Sequence, residues 1–265
     1  SSVDHKIDYR LLAGTGTVAV ALKQGGTTIA SFSADTLTGA AQTLQKTLSG
    51  AQADSITDYA GLSVTLTSAA PEPNITYVGG QVGGRAGSTS TSAVTFALTG
   101  GSNSTPQAGD LVIIGCTVAS AGRTPACAIS GYTEQTQINA NGTTYDTSLN
   151  MSYKFMGGTP DTTFTLPSTG NVADAQRYTV QVWRGVDATT PLDVAAVSAS
   201  GTATGRPNPG SITPTTSGAK VGIIGAGAAA TGASYTAPAN YTTGFLTGTT
   251  SDTNDAMIGS GYRSW

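Results

Sequence analysis

The chain has 265 residues, of which 10% are charged and 6% are aromatic, and its formal net charge is −3. Soluble proteins average about 25% charged residues, and here small residues take their place, with 35 glycines alone. The 12 basic residues are scattered rather than grouped on a phosphate-binding face, and no run of 18 apolar residues occurs. We therefore expect neither nucleic-acid binding nor membrane insertion.

The first 70 residues predict short strands with one buried face. Apolar and polar residues alternate over 7–11, 18–22 and 62–66, which is the period of a half-buried strand. Gly25-Gly26 is typical of a tight hairpin turn. The best helical candidate is 49–56, which is long enough for one or two turns.

A proline-rich stretch divides the chain. Pro71-Glu72-Pro73 lies between two strand-rich blocks and is typical of a linker. We therefore predict an N-terminal module over 1–70, a linker over 71–73 and a larger module over 74–265. The first module is expected to be incomplete at its N-terminus, so that the chain starts inside a longer polypeptide.

The second block predicts many short strands. They are expected over 75–78, 93–98, 110–118, 126–129, 150–156, 162–166, 178–184, 194–197, 219–225, 241–246 and 256–262. Glycine, asparagine and proline pairs mark the turns between them, and no segment predicts a long crossover helix. The predicted fold class is all-β: two β-sandwich domains, jelly-roll or immunoglobulin-like, with short antiparallel strands and at most one or two short helices.

Residues that could carry chemistry are scarce. The only histidine is His5, which removes most histidine-based catalytic and metal sites from consideration. The two cysteines, Cys116 and Cys127, are too few for a disulfide scaffold. We expect free thiols, with one bridge as the open alternative.

One segment is similar to a dinucleotide-binding loop. Residues 220–232 read KVGIIGAGAAATG, a short apolar run followed by G-x-G-x-x-A. That fingerprint needs a helix opening at its last glycine, and Gly232 and Pro238 would limit any helix to about one turn. The stretch 111–122 has the same texture, so we interpret both as core strands whose small residues allow close approach. Gly227 is expected to tolerate no large residue, and no cofactor is expected to bind.

The segment 174–194 predicts a central strand that feeds a fixed turn. Trp183 is expected to pack under a loop or a neighbouring sheet, and Gly185 ends the strand. Asp187 is suited to cap the following turn, which includes Pro191. The alternative is that Trp183 and Arg184 form a contact surface for a sugar or a protein.

Several of these stretches together resemble a known kind of module. They are Gly109-Asp110-Leu-Val-Ile-Ile, Ser130-Gly131-Tyr132-Thr133, Tyr153-Lys154, Val182-Trp183-Arg184-Gly185-Val186-Asp187 and Thr190-Pro191-Leu192-Asp193. The pattern resembles a β-sandwich module found in virion proteins of tailed bacteriophages. Residues 16–25 and 51–59 resemble a companion module that often precedes it. The resemblance implies a structural or adhesive role and no catalytic residue.

The expected function is accordingly that of a structural virion protein. It would be tail-fibre or tail-associated, or else a head fibre or capsid decoration, located on the extracellular particle after assembly in the host cytoplasm. Expected partners are other virion proteins and copies of the same chain. A second hypothesis is binding of host-surface polysaccharide through exposed aromatic residues, namely Tyr132, Tyr145, Tyr235, Tyr241 and Trp265. An enzyme is the weakest hypothesis, because no credible nucleophile or metal set is visible.

Overall fold

The computed structural model describes residues 5–11, 14–69, 74–119, 127–141, 146–201, 209–229, 236–241, 243–249 and 255–265. These residues form fifteen strands and one short helix, so the all-β prediction is confirmed. The chain divides into two compact units, Ser1–Glu72 and Pro73–Trp265. The predicted linker over 71–73 lies outside the described residues.

The first unit contains two antiparallel sheets. Its elements are β1 Lys6–Leu11, β2 Thr15–Gln24, β3 Thr27–Thr38, β4 Gln42–Thr47, α1 Gly50–Asp54 and β5 Leu62–Ala69. The sheet β3-β2-β5 contains the hairpin predicted at Gly25-Gly26, and β1 pairs with β4. The first unit has a buried apolar cluster that contains Leu22, Ala30 and Leu48. The helix begins with a capping box, in which Ser49 and Gln52 each satisfy the other's backbone N–H.

The second unit contains three sheets. Its strands are β6 Thr76–Arg85, β7 Ser92–Thr95, β8 Leu111–Val118, β9 Thr133–Asn141, β10 Asp146–Phe155, β11 Thr163–Leu166, β12 Gln176–Arg184, β13 Lys220–Ala229, β14 Thr243–Thr249 and β15 Asp255–Ser264. They form the antiparallel sheets β6-β12-β8-β10-β9, β11-β7 and β13-β15-β14.

The five-stranded sheet is covered on both faces. On one face of β8, Val112, Ile114 and Cys116 belong to a core that also contains Phe96 of the segment after β7 and Phe164 of β11. On the other face, Leu111 and Trp183 pack against Tyr262 of β15. Because successive side chains of a strand point to opposite faces, β8 and β12 are buried along nearly their whole length.

The two small-residue segments meet in this unit. The stretch 220–229 is strand β13, so the glycine pattern lies within a strand that runs four residues beyond the predicted end at Gly225. A Cβ added to Gly115 of β8 would lie 2.8 Å from Cγ2 of Ile224 on β13. The glycine therefore lets the facing sheets approach closely, as the repeated texture predicts.

Two predicted strands are absent from the structure, and two observed strands were not predicted. Residues 127–129 and 194–197 are not strands in the described chain, and β4 and β9 were not predicted. Cys127 has φ 80°, a left-handed conformation that interrupts a strand. The β9 sequence, TEQTQINAN, is mostly polar, so it lacks the apolar alternation on which the prediction of strands depends.

The expectation of free thiols is wrong. Cys116 of β8 and Cys127 form a disulfide with a Cα–Cα distance of 5.5 Å. Both residues are buried, and Nε2 of Gln176 donates a hydrogen bond to the Cys127 sulfur at 3.1 Å. The tertiary fold brings the two cysteines together, and their separation of 11 positions in the sequence does not reveal it.

Candidate ligand-binding platform

Trp183, one of the residues that carry the sequence resemblance, is buried in an aromatic cluster. Trp183 is 4% exposed, and its ring centroid lies 4.4 Å from that of Tyr262 and 5.2 Å from that of Tyr77. Both contacts are edge-to-face, the preferred geometry for aromatic pairs. Burial raises the pKa of Tyr77 to about 12. Trp183 is therefore part of the packing between two sheets and is not available as a contact surface.

Arg184 and Asp110 form a bidentate ion pair. Nε of Arg184 lies 2.8 Å from Oδ1 of Asp110, and Nη2 lies 3.0 Å from Oδ2. The aspartate is fully buried, and its Oδ2 also accepts from the backbone N–H of Gln107. Hydrogen bonding to this carboxylate raises the pKa of Arg184. A buried carboxylate needs such partners, so the pair ties the end of β12 to the start of β8.

The turn after β12 is held by its own side chains. Gly185 has φ 82° and begins the turn. Asp187 accepts hydrogen bonds from the Thr189 N–H and the Thr190 hydroxyl, each at 2.8 Å, which lowers its pKa. Pro191 follows in a segment without strands. These residues form the capped turn that the sequence indicates.

The five aromatic residues predicted to contact glycan differ in their exposure, and two of them are not described by the structure. Tyr145 and Tyr235 lie outside the described residues. The expectation of an exposed ring is wrong for Tyr132, which packs against the core and has a buried hydroxyl. Burial raises the pKa of this hydroxyl above its ordinary range, and Nζ of Lys154 lies 5.5 Å from the ring centroid. Tyr241 is half-buried rather than exposed, and it remains a candidate together with the exposed Trp265.

Tyr241 and Trp265 share one cation. The guanidinium carbon of Arg263 lies 5.5 Å from the ring centroid of Tyr241 and 5.4 Å from that of Trp265. Both distances are within the range of cation–π attraction, about 6 Å. Trp265 is 47% exposed, whereas Tyr241 and Arg263 are half-buried. We call these three residues the aromatic platform.

Local backbone structure positions the aromatic platform. Arg263 is near the end of β15, where side chains two residues apart share a face, and the N–H of Trp265 donates to the Ala219 carbonyl at 3.0 Å. The N–H of Tyr241 donates to the Pro238 carbonyl at 3.0 Å, across a turn in which Asn240 has φ 67°. Arg263 was not among the residues predicted from the sequence, although the alternation Arg263-Ser264-Trp265 indicates its place beside the tryptophan.

The aromatic platform combines apolar and cationic recognition. Aromatic rings offer flat surfaces that carry partial negative charge on their faces, and arginine offers planar N–H donors for carboxylates and hydroxyls. Among the described residues, no cluster of three or more His, Cys, Asp and Glu side chains could hold a metal ion. Within the part of the chain that the structure describes, no helix is long and apolar enough to cross a membrane.

Comparison with protein-family models, with curated proteins and with solved structures finds no match to this chain.

Proposed function

We propose that this chain is a structural virion protein of a tailed bacteriophage. It would be tail-fibre or tail-associated, with a head fibre or capsid decoration as the alternative position. Its role is to assemble with other virion proteins and copies of itself and to attach the particle to the host surface. Its two units would be β-sandwich modules, a proposal supported by the presence of more than one antiparallel sheet in each unit.

One observation carries this proposal. The residues on which the resemblance depends contribute packing, an ion pair and a capped turn: Trp183 in the aromatic cluster, Arg184 with Asp110, and Asp187 with its threonines. Such residues maintain a rigid fold, and fold-level likeness by itself does not assign chemistry. A rigid scaffold that carries surface loops suits a module whose task is to span distance and display a surface.

Particle composition tests the proposal. Phage particles purified from lysates are analysed by quantitative mass spectrometry, and the chain is located with antibodies by electron microscopy. The expected result is a copy number that matches the symmetry of the tail or the head. Absence of the chain from purified particles contradicts the proposal, and labelling of the head instead of the tail selects the alternative position.

A second candidate function is binding of host-surface glycan through the aromatic platform. It is favoured by the convergence of Tyr241 and Trp265 on Arg263, with the indole nearly half exposed. A few converging polar and aromatic groups are typical of small-ligand sites. Binding of the chain to host polysaccharide should be weakened in Tyr241→Ala and Trp265→Ala. Unchanged binding in both variants excludes the platform as the contact.

A further inference from the structure

We propose that the aromatic platform binds an acidic saccharide, with a sugar carboxylate on Arg263 and a sugar ring against Trp265. This inference rests on the second candidate function, glycan binding, and names its substrate class. It does not depend on the position of the chain on a particle.

The cation of Arg263 is not neutralised within the described part of the chain. No ion pair involves Arg263 there, in contrast to Arg184 with its bidentate partner Asp110. Its Nε is buried and has no acceptor among the described residues, so a ligand would contact the two terminal nitrogens of this half-buried side chain. The rings attract the positive charge but accept no conventional hydrogen bond from its donors. A guanidinium held in this way retains donors for a planar anion, and a carboxylate matches its fork geometry.

A second cation lies on the opposite face of the same sheet. Lys220 of β13 is opposite Ser264 of β15 in the sheet register, and its Nζ donates to Oγ of Ser264 at 2.8 Å. Because Ser264 directly follows Arg263 in the strand, Lys220 lies on the other face from Arg263. Arg263 is therefore the cation of the platform, in a chain whose formal charge is −3. A protein with net negative charge is not a general polyanion binder, so binding of an acidic polymer requires a local site.

The rings favour a saccharide over an acidic peptide. Cation–π contacts hold Tyr241 and Trp265 close to the anion site, and the exposed fraction of Trp265 leaves ring surface that Arg263 does not cover. A pyranose presents an apolar face of C–H groups next to its carboxylate, so one sugar residue can contact both the ring and the guanidinium. An extended glutamate chain lacks such a rigid apolar face.

The test uses three polymers of known chemistry. Binding of the whole chain is measured to polygalacturonate, to its methyl ester and to polyglutamate. The ester keeps the sugar ring but removes the charge. We expect polygalacturonate to bind about tenfold more tightly than the other two, the effect of one charge-assisted contact, and we expect this preference to weaken with added salt.

Variants separate the two parts of the site. Arg263→Gln should remove the preference for the acid over the ester, and Trp265→Ala should weaken binding of both. Arg10→Gln, which removes an exposed positive charge in the other unit, is the matched control and should change neither. If Arg263→Gln lowers the melting temperature, Arg263→Lys retains the charge and should reduce the preference by losing the bidentate fork.

Each alternative outcome overturns the inference in a distinct way. Equal binding of the acid and the ester shows that the affinity of the site does not depend on the charge of the sugar carboxylate. Equal binding of polyglutamate shows that the site reads carboxylates without regard to the sugar. Binding to none of the three polymers contradicts the acidic-saccharide site, while detection in purified particles decides the virion role independently.

Discussion

Gly185 occupies a backbone position that other residues tolerate poorly. Its φ is 82°, and an added Cβ would lie 2.5 Å from the Asn74 carbonyl oxygen. We predict that Gly185→Ala lowers the free energy of unfolding by about 2–3 kcal/mol, through backbone strain and the clash together. Urea denaturation measures the change.

Gly100 provides the matched control for Gly185. It has φ 72°, but nothing lies within 4 Å of its added Cβ. Gly100→Ala should therefore cost only the strain, about 1 kcal/mol. Equal losses in the two variants would show that the contact with Asn74 does not matter.

Asp193 should give a local pH response. Its carboxylate accepts hydrogen bonds from the backbone N–H and the hydroxyl of both Thr215 and Thr216. These bonds, led by the Thr216 hydroxyl, lower its pKa from 3.8 to about 2. Because the folded-state pKa is the lower one, the contact stabilises the fold above the ordinary pKa. That stabilisation is lost as the pH falls from 3.8 to about 2.

Amide NMR measures this response. The Thr215 and Thr216 signals should shift over the same pH range in which Asp193 is protonated. Asp193→Asn should abolish that shift and leave the signal of Thr189, which is bound to Asp187, titrating as before. A transition at Thr215 that persists in Asp193→Asn would assign it to another group.

Strands β8 and β13 can approach closely because residue 115 is a glycine. Gly115 of β8 lies against Ile224 of β13, and an added Cβ would lie 2.8 Å from one carbon of the isoleucine and 3.2 Å from another. We predict that Gly115→Ala destabilises the second unit by about 1–3 kcal/mol through overpacking. In Gly222→Ala, also on a strand, nothing lies within 4 Å of the Cβ. Thermal denaturation measures both variants, and Gly222→Ala should be close to neutral.

The disulfide should stabilise the strand from which it starts. Cys116 and Cys127 are 11 positions apart, and closing a loop of this size lowers the entropy of the unfolded chain by an amount worth about 3 kcal/mol. The double variant Cys116→Ala/Cys127→Ala should lose that stability in guanidinium denaturation. Added reductant should destabilise the natural chain to a similar extent and have no effect on the double variant.

The sequence could identify most strands but not all of them. Alternation found β1, β2 and β12 because one face of each strand is apolar. The polar strand β9 was missed, since its position is set by backbone pairing with β10 rather than by an apolar face. The apolar stretch 194–197 is not a strand: it pairs with no other strand of the described chain, and Val197 is 45% exposed instead of packed on a sheet.

At the scale of the whole molecule, each unit has its own buried core. Leu22, Ala30 and Leu48 belong to the first unit, and the two larger clusters around β8 belong to the second. We predict that a fragment of residues 74–265 folds alone and melts at the temperature of one transition of the whole chain. Calorimetry measures this.

A small core buries less of its chain on folding, so the first unit should melt at the lower temperature. Loss of folding in the fragment would show that the units depend on each other.

Composition and alternation determine the all-β class, because small and β-branched residues favour a pleated backbone and each half-buried strand carries its own periodic signal. The tertiary structure alone decides which distant residues meet. It joins Cys116 to Cys127, buries Tyr132 and brings Tyr241, Arg263 and Trp265 together. Strand pairing and sheet packing set these contacts over long separations in sequence, and local patterns do not encode them.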